Sequence, residues 1–197
     1  MLTESIRKFQ SPIYSSVSRN AEAYKTITRF RTKYLDQLRE DYHQIDETVE
    51  HNVGVLRREI RNDMEVFLRR YHKYCIEERL IEPGNTKGAH YVEVGAEETD
   101  FEHMIPIRII RDMYLFNEID VAHALNAPTV LLSKEKHIRL KDAGWNSDTP
   151  DLWLPFTRYS SIFSGEYETY DGTRIDPASW TLKNHYDYFA HLFKGQK

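Results

Sequence analysis

Asn126-Ala127-Pro128-Thr129-Val130-Leu131-Leu132-Ser133-Lys134-Glu135-Lys136-His137 carries three kinds of backbone in one short stretch. Asn-Ala-Pro is turn chemistry, because proline fixes φ and asparagine tolerates the conformations that turns need. Thr129–Leu132 is short, apolar and β-prone, which predicts a buried strand. Ser133 is a residue type that caps helix N-termini, and the polar run after it predicts a helix to about Ala143, stopped by Gly144. A strand feeding directly into a helix removes the chain from the all-helical class. The expected fold is α+β, mainly α.

Working upstream, Leu35, Leu38, Tyr42, Ile45, Val49, Val53, Leu56, Ile60, Met64, Phe67 and Tyr71 are three or four residues apart. Ten steps cover 36 residues, a mean of 3.6, which is the period of an amphipathic helix and not the 3.5 of a coiled coil. Gly54 interrupts the run, at a cost of about 1 kcal/mol in a helix interior. The pattern predicts a long N-terminal helical arm bent at Gly54, with a hairpin of two helices as the alternative. A stripe of this length needs cover, so a homodimer through the arm is expected. Residues 1–20 read as a short helix and a loop, and Glu82-Pro83-Gly84-Asn85 closes the helical region. The expected division is 1–82 for the arm and 83–197 for a second module.

In that second module His90-Tyr91-Val92-Glu93-Val94 alternates as a strand does, and Phe101 to Ile107 reads as a further extended segment. Ile107 to Leu125 returns to helical spacing, broken near Asn117. The last fifty residues are aromatic and loop-rich, with a hairpin turn at Tyr170-Asp171-Gly172-Thr173 and a closing helix from Ala178 to Phe193. The aromatic residues Trp145, Trp153, Tyr159 and Trp180 read as core rather than as a base-stacking platform.

Composition narrows the function classes. The chain has 197 residues, 40% hydrophobic and 29% charged, with a net charge of −4 and nine histidines. That acidic balance argues against wholesale nucleic-acid binding, leaving only a local basic patch. Cys75 is alone, so no disulfide framework or cysteine-based zinc site is expected. No stretch has the length of a membrane span or the layout of a signal peptide. A cytoplasmic protein with no membrane partner is the expectation.

Glu102-His103-Met104-Ile105-Pro106 is the second informative segment. A histidine has the unperturbed pKa of a general base, and a carboxylate with a second histidine supplies hard-ligand positions for a divalent ion. Brought together, Glu102, His103 and His137 would suit metal-assisted cleavage of a phosphodiester. Taken singly, His137 reads as a solvated helix residue and Asn126 as a turn residue. Their order along the chain is what raises them above that reading.

These two segments resemble the HNH (ββα-metal) endonucleases, closest to colicin-type DNases and phage HNH proteins, over roughly residues 90–145. In that family an acid or histidine precedes the catalytic histidine, an asparagine precedes a short strand, and the following helix bears a metal-binding histidine. The resemblance implies a ββα-metal-like module with His103 as general base, Asn126 orienting it, and Glu102 and His137 as metal ligands. It implies Mg²⁺ or Mn²⁺ as cofactor, with Zn²⁺ or Ni²⁺ as further options. Lys134, Lys136, Arg139 and Lys141 would meet nucleic-acid phosphates, of DNA before RNA. Lys141 stands where colicin-like members carry another metal histidine, so fewer protein ligands are expected here. The rival expectation is a non-catalytic helical interaction or adaptor protein that keeps an HNH-like scaffold.

Overall fold

A computed structural model describes residues 21–45, 52–75 and 89–190, with side chains from residue 32 in the first helix and to residue 72 in the second. The expectations for residues 1–20 and for Glu82–Asn85 lie outside the described residues. Two long helices, α1 (Ala21–Gln44) and α2 (Val53–Cys75), precede strands β1 (Tyr91–Glu93) and β2 (Thr99–His103). Helices α3 (Ile107–Leu115) and α4 (Val121–Leu125) lead to β3 (Thr129–Ser133) and α5 (Lys134–Asp142). A 3₁₀ turn (Trp145–Ser147), α6 (Thr157–Ser160), the hairpin β4 (Tyr167–Thr169) and β5 (Arg174–Ile175), and α7 (Leu182–Phe189) complete the chain. The class is α+β. Among the described residues no helix is long and apolar enough to cross a membrane.

The predicted periodicity is realised as two helices packed together instead of one bent arm. Leu35, Leu38, Tyr42 and Ile45 of the first helical segment meet Ile60, Met64, Phe67, Leu68 and Tyr71 of the second in one buried cluster. Tyr34 and Phe67 bring their rings to 5.5 Å, and Arg61 donates to the Tyr42 hydroxyl at 2.8 Å. The break falls before Gly54. Asn52 has a positive φ of 84° just ahead of α2, and Gly54 lies in the first turn, where a helix tolerates glycine better than in its interior. Ile105, Ile107, Ile110, Tyr114, Leu115, Ala124, Leu125 and Leu182 join the same cluster. Within the described residues the stripe therefore finds cover inside the chain. Polar ties reinforce the contact: Tyr114 donates to Asp36 at 2.6 Å, and Arg111 pairs with Glu65.

The sheet is mixed, in the order β2-β3-β1-β4-β5. β1 runs parallel to β3, and the other neighbours are antiparallel. β2 begins at Thr99, earlier than the sequence suggested, and ends at His103, after which Pro106 precedes α3. The helical stretch that follows breaks where Asn117 adopts a φ of 61°. A second buried cluster forms beneath the sheet from Tyr91, Met104, Val130, Leu132, Leu140, Phe156, Tyr159, Phe163, Tyr167 and Phe189. Gly144 (φ 79°) ends α5, and Gly172 (φ 85°) turns the β4–β5 hairpin, both as the sequence indicates. The closing helix opens later than expected. It starts after Thr181, whose hydroxyl accepts from Asn184 N–H at 3.1 Å while the Asn184 side chain accepts from Thr181 N–H at 2.9 Å.

Candidate metal site and buried histidines

β2 and β3 pair antiparallel with Asp100 opposite Leu132 and Glu102 opposite Val130. Directly opposed residues share a sheet face, so Asp100 and Glu102 point to the face where Val130 and Leu132 pack with Leu140 of α5. α5 follows β3 without a linker and lays His137 against that edge. His137 Nδ1 lies 3.1 Å from Asp100 Oδ2, and its Nε2 lies 3.3 Å from Glu102 Oε2. The other Glu102 oxygen accepts from Arg158 at 2.8 Å. Arg158 is fully buried and also donates to the carbonyl oxygens of Trp145 and His103. Burial pushes the Glu102 carboxyl above its ordinary pKa, and the positive charges of Arg158 and His137 pull in the opposite direction.

The donor chemistry fits a divalent ion. Ligand bonds of about 2.0–2.2 Å place neighbouring donors of one shell about 3.0–3.5 Å apart, which is the spacing of Glu102 Oε2 and His137 Nε2. Asp100 then takes the hydrogen on Nδ1, leaving the Nε2 lone pair free, an arrangement that orients metal-binding histidines. Among the described residues no group of three or more His, Cys, Asp or Glu side chains is arranged to share an ion. A carboxylate oxygen and an imidazole nitrogen, with the other positions left to water and phosphate oxygens, suit Mn²⁺ or a later transition metal better than Mg²⁺, which takes oxygen ligands.

His103 does not join this pair. It neighbours Glu102 on a strand, where successive side chains point to opposite faces, and its ring packs against Phe101 and against His72 of α2, each at 5.2 Å. Burial, with the charges of His72, Arg69 and Arg158, holds the His103 pKa well below the usual histidine value. Asn126 is also placed elsewhere. Its Oδ1 accepts from His90 Nε2 at 2.8 Å and its carbonyl accepts from His185 Nε2 at 2.7 Å, so it orients those two rings and makes no hydrogen bond to His103. His90 Nδ1 meets Thr129 Oγ1 at 2.9 Å, while His185 Nδ1 accepts from Tyr91, whose oxygen accepts in turn from Trp180. That chain is fully satisfied and reads as an ordered core.

The basic residues expected to meet phosphate are mostly engaged. Lys134 pairs with Glu98 at 2.9 Å, and Lys136 with Glu93 and the Ser164 carbonyl. Arg139 donates to the Ile162 carbonyl at 2.9 Å, and Lys141 is exposed. Sequence reading missed Asp100 and the pairing of Arg158 with Glu102. Asp100 had a signal, since position i−2 from Glu102 shares its strand face. Arg158, more than fifty residues downstream, had none. Trp145 and Trp180 pack against the sheet cluster and Tyr159 lies within it, as expected, but Trp153 is 65% exposed. No family model matches this chain, and neither a curated protein nor a solved structure does.

Proposed function

We propose that the protein is a metal-dependent phosphodiesterase of HNH type acting on DNA, with Glu102 and His137 holding the ion. The observation that carries this reading is the 3.3 Å approach of Glu102 Oε2 to His137 Nε2, with Asp100 on the far ring nitrogen. A bound divalent ion supplies charge stabilisation at the leaving oxygen. His103 serves as general base. Its depressed pKa keeps the ring neutral at physiological pH and at the same time weakens it as a proton acceptor, so its contribution rests on placement.

In-line displacement at phosphorus puts the attacking and leaving oxygens on opposite sides. Glu102 and His103 leave the end of β2 on opposite faces of the strand, so the phosphate has to lie off that strand end to meet the ion on one side and the base on the other. Water then adds to phosphorus as its proton passes to His103, and the P–O bond to the leaving oxygen breaks. Arg158 holds Glu102 through one oxygen and leaves the other for the ion. Lys141 is one of the exposed cations of α5, with Lys134 and Arg139, and would meet a neighbouring phosphate.

Nicking of supercoiled plasmid in Mg²⁺ or Mn²⁺ tests the reading. Wild type should cleave, while His103→Ala, Glu102→Gln and His137→Ala should each lose on the order of 100-fold or more. Equal rates in all four proteins, or none in any across metals and across DNA and RNA, would sink it. One observation favours the rival, a non-catalytic interaction protein: Lys134, Lys136 and Arg139 are tied to partners within the chain. That alternative gains if the wild-type protein binds no divalent ion by calorimetry.

A further inference from the structure

His72 is fully buried in the last turns of α2, and its Nε2 donates to the Ala124 carbonyl at 2.9 Å. A carbonyl only accepts, so that bond fixes the proton on Nε2 and leaves Nδ1 as a bare lone pair. Nδ1 is buried and, among the described residues, has no hydrogen-bond partner. His103 Nε2 is in the same condition, and the two rings lie 5.2 Å apart with their planes tilted by 53°. A buried polar nitrogen left unpaired costs about 1–3 kcal/mol, so two of them side by side call for one explanation. Their requirements are complementary: one is an acceptor by constraint, and the other is free to carry a hydrogen.

We infer that His72 is the positioning residue of the base, accepting a hydrogen bond from His103 Nε2 and so fixing His103 as the tautomer with its lone pair on Nδ1. A ring separation of 5.2 Å lets opposed nitrogens come within hydrogen-bonding reach on a small rotation, and hydrogen bonds of this kind tighten when substrate binds. The attacking water then passes its proton to His103 Nδ1, the Nε2 proton stays in the bond to His72, and no proton reaches His72. α2, which otherwise serves as packing, thereby contributes to the site. The catalytic consequence rests on the nuclease reading, whereas the hydrogen bond does not.

The test uses the full chain and two substitutions. His72→Asn places an amide oxygen near the Nδ1 position and keeps the acceptor. His72→Gln places its amide near Nε2, keeping the donor to Ala124 but removing the acceptor. Nitrogen–proton correlation spectra of the imidazole rings report the His103 tautomer with no need for activity. Wild type and H72N should show His103 protonated on Nε2, and H72Q a mixture or the opposite tautomer. In plasmid nicking with Mg²⁺, H72Q should lose about 10- to 100-fold in kcat with KM unchanged, and H72N should recover most of it. An unchanged His103 tautomer in a folded H72Q overturns the inference, as does equal loss of kcat in both variants. If the tautomers behave as expected but wild type cleaves nothing, the nuclease reading and its catalytic consequence fall while the hydrogen bond stands.

Discussion

Arg158 shows how much one side chain can decide. It is 0% exposed, yet it pairs with Glu102 and donates to two main-chain carbonyls, one at the end of β2 and one in the 3₁₀ turn. Replacing it by methionine keeps the volume but leaves a buried carboxylate and two acceptors unmatched. Arg158→Met should cost about 3–5 kcal/mol in urea denaturation near neutral pH. The pH dependence has a definite sign. Glu102 already has a folded pKa above its unfolded value, so its contribution is complete below the unfolded value and is lost as pH rises through the folded one. Removing the guanidinium raises the folded value further. The destabilisation by Arg158→Met should therefore be larger near pH 8 than near pH 4, and a flat difference would contradict the pairing. Asp100 was legible from strand parity, whereas Arg158 was not, because only the folded chain brings a helix so distant in sequence to Glu102.

Helix starts are where local signals and the folded chain part company. Ser133 is the cap that the sequence suggested, but it is Thr181, inside the expected closing helix, that acts as one. The Ser133 hydroxyl makes no capping bond to α5, and its own N–H goes to the Glu93 carboxylate at 2.8 Å. Thr181→Ala should accordingly cost about 1 kcal/mol of stability, and Ser133→Ala should stay within about 0.5 kcal/mol. Paired urea melts would check both, and equal losses would contradict the assignment. The same scale explains which elements could be read in advance. β3, α5, Gly144 and the turn at Gly172 follow from residue types acting over a few positions, and they appear as expected. The route of the apolar stripe depended on distant partners such as Ile110 and Leu125, which periodicity does not name. Glu102 and His137 were joined in advance only through the resemblance to HNH nucleases, while the packing of His103 against His72 had no such signal.

Across the whole molecule, the helical cluster and the sheet cluster share supports. α7 gives Leu182 to the first and Phe189 to the second, and His185 between them ties Asn126 to Tyr91. The expected boundary between 82 and 83 is thus crossed by the packing, and the chain should unfold as one unit. Met64→Ala, deep in the helical cluster, should cost about 2–5 kcal/mol. Its helix signal by circular dichroism and its tryptophan fluorescence, dominated by the sheet side, should fall in one coincident transition. Two separated transitions would mean two independent units. Acid should act globally too. Burial lowers the His185 pKa to about 3, so its neutral form stabilises the fold fully above the unfolded value of about 6.5. That stability is lost as pH falls from there toward about 3, and His185→Gln should flatten this part of the curve in thermal melts.

The opposed faces of Glu102 and His103 have a consequence for how the chain tolerates change. Neighbours in the sequence are delivered to separate compartments, one governed by Arg158 and His137, the other by His72. Their order is therefore a kind of addressing, and it is written relative to the pairing of β2 with β3. One residue inserted in the link between β1 and β2 could be absorbed by the loop. The same insertion within β2 would deliver each side chain to the other's compartment, exchanging acid for imidazole without altering composition at either position. Selection on this edge would then act on length before it acted on residue identity.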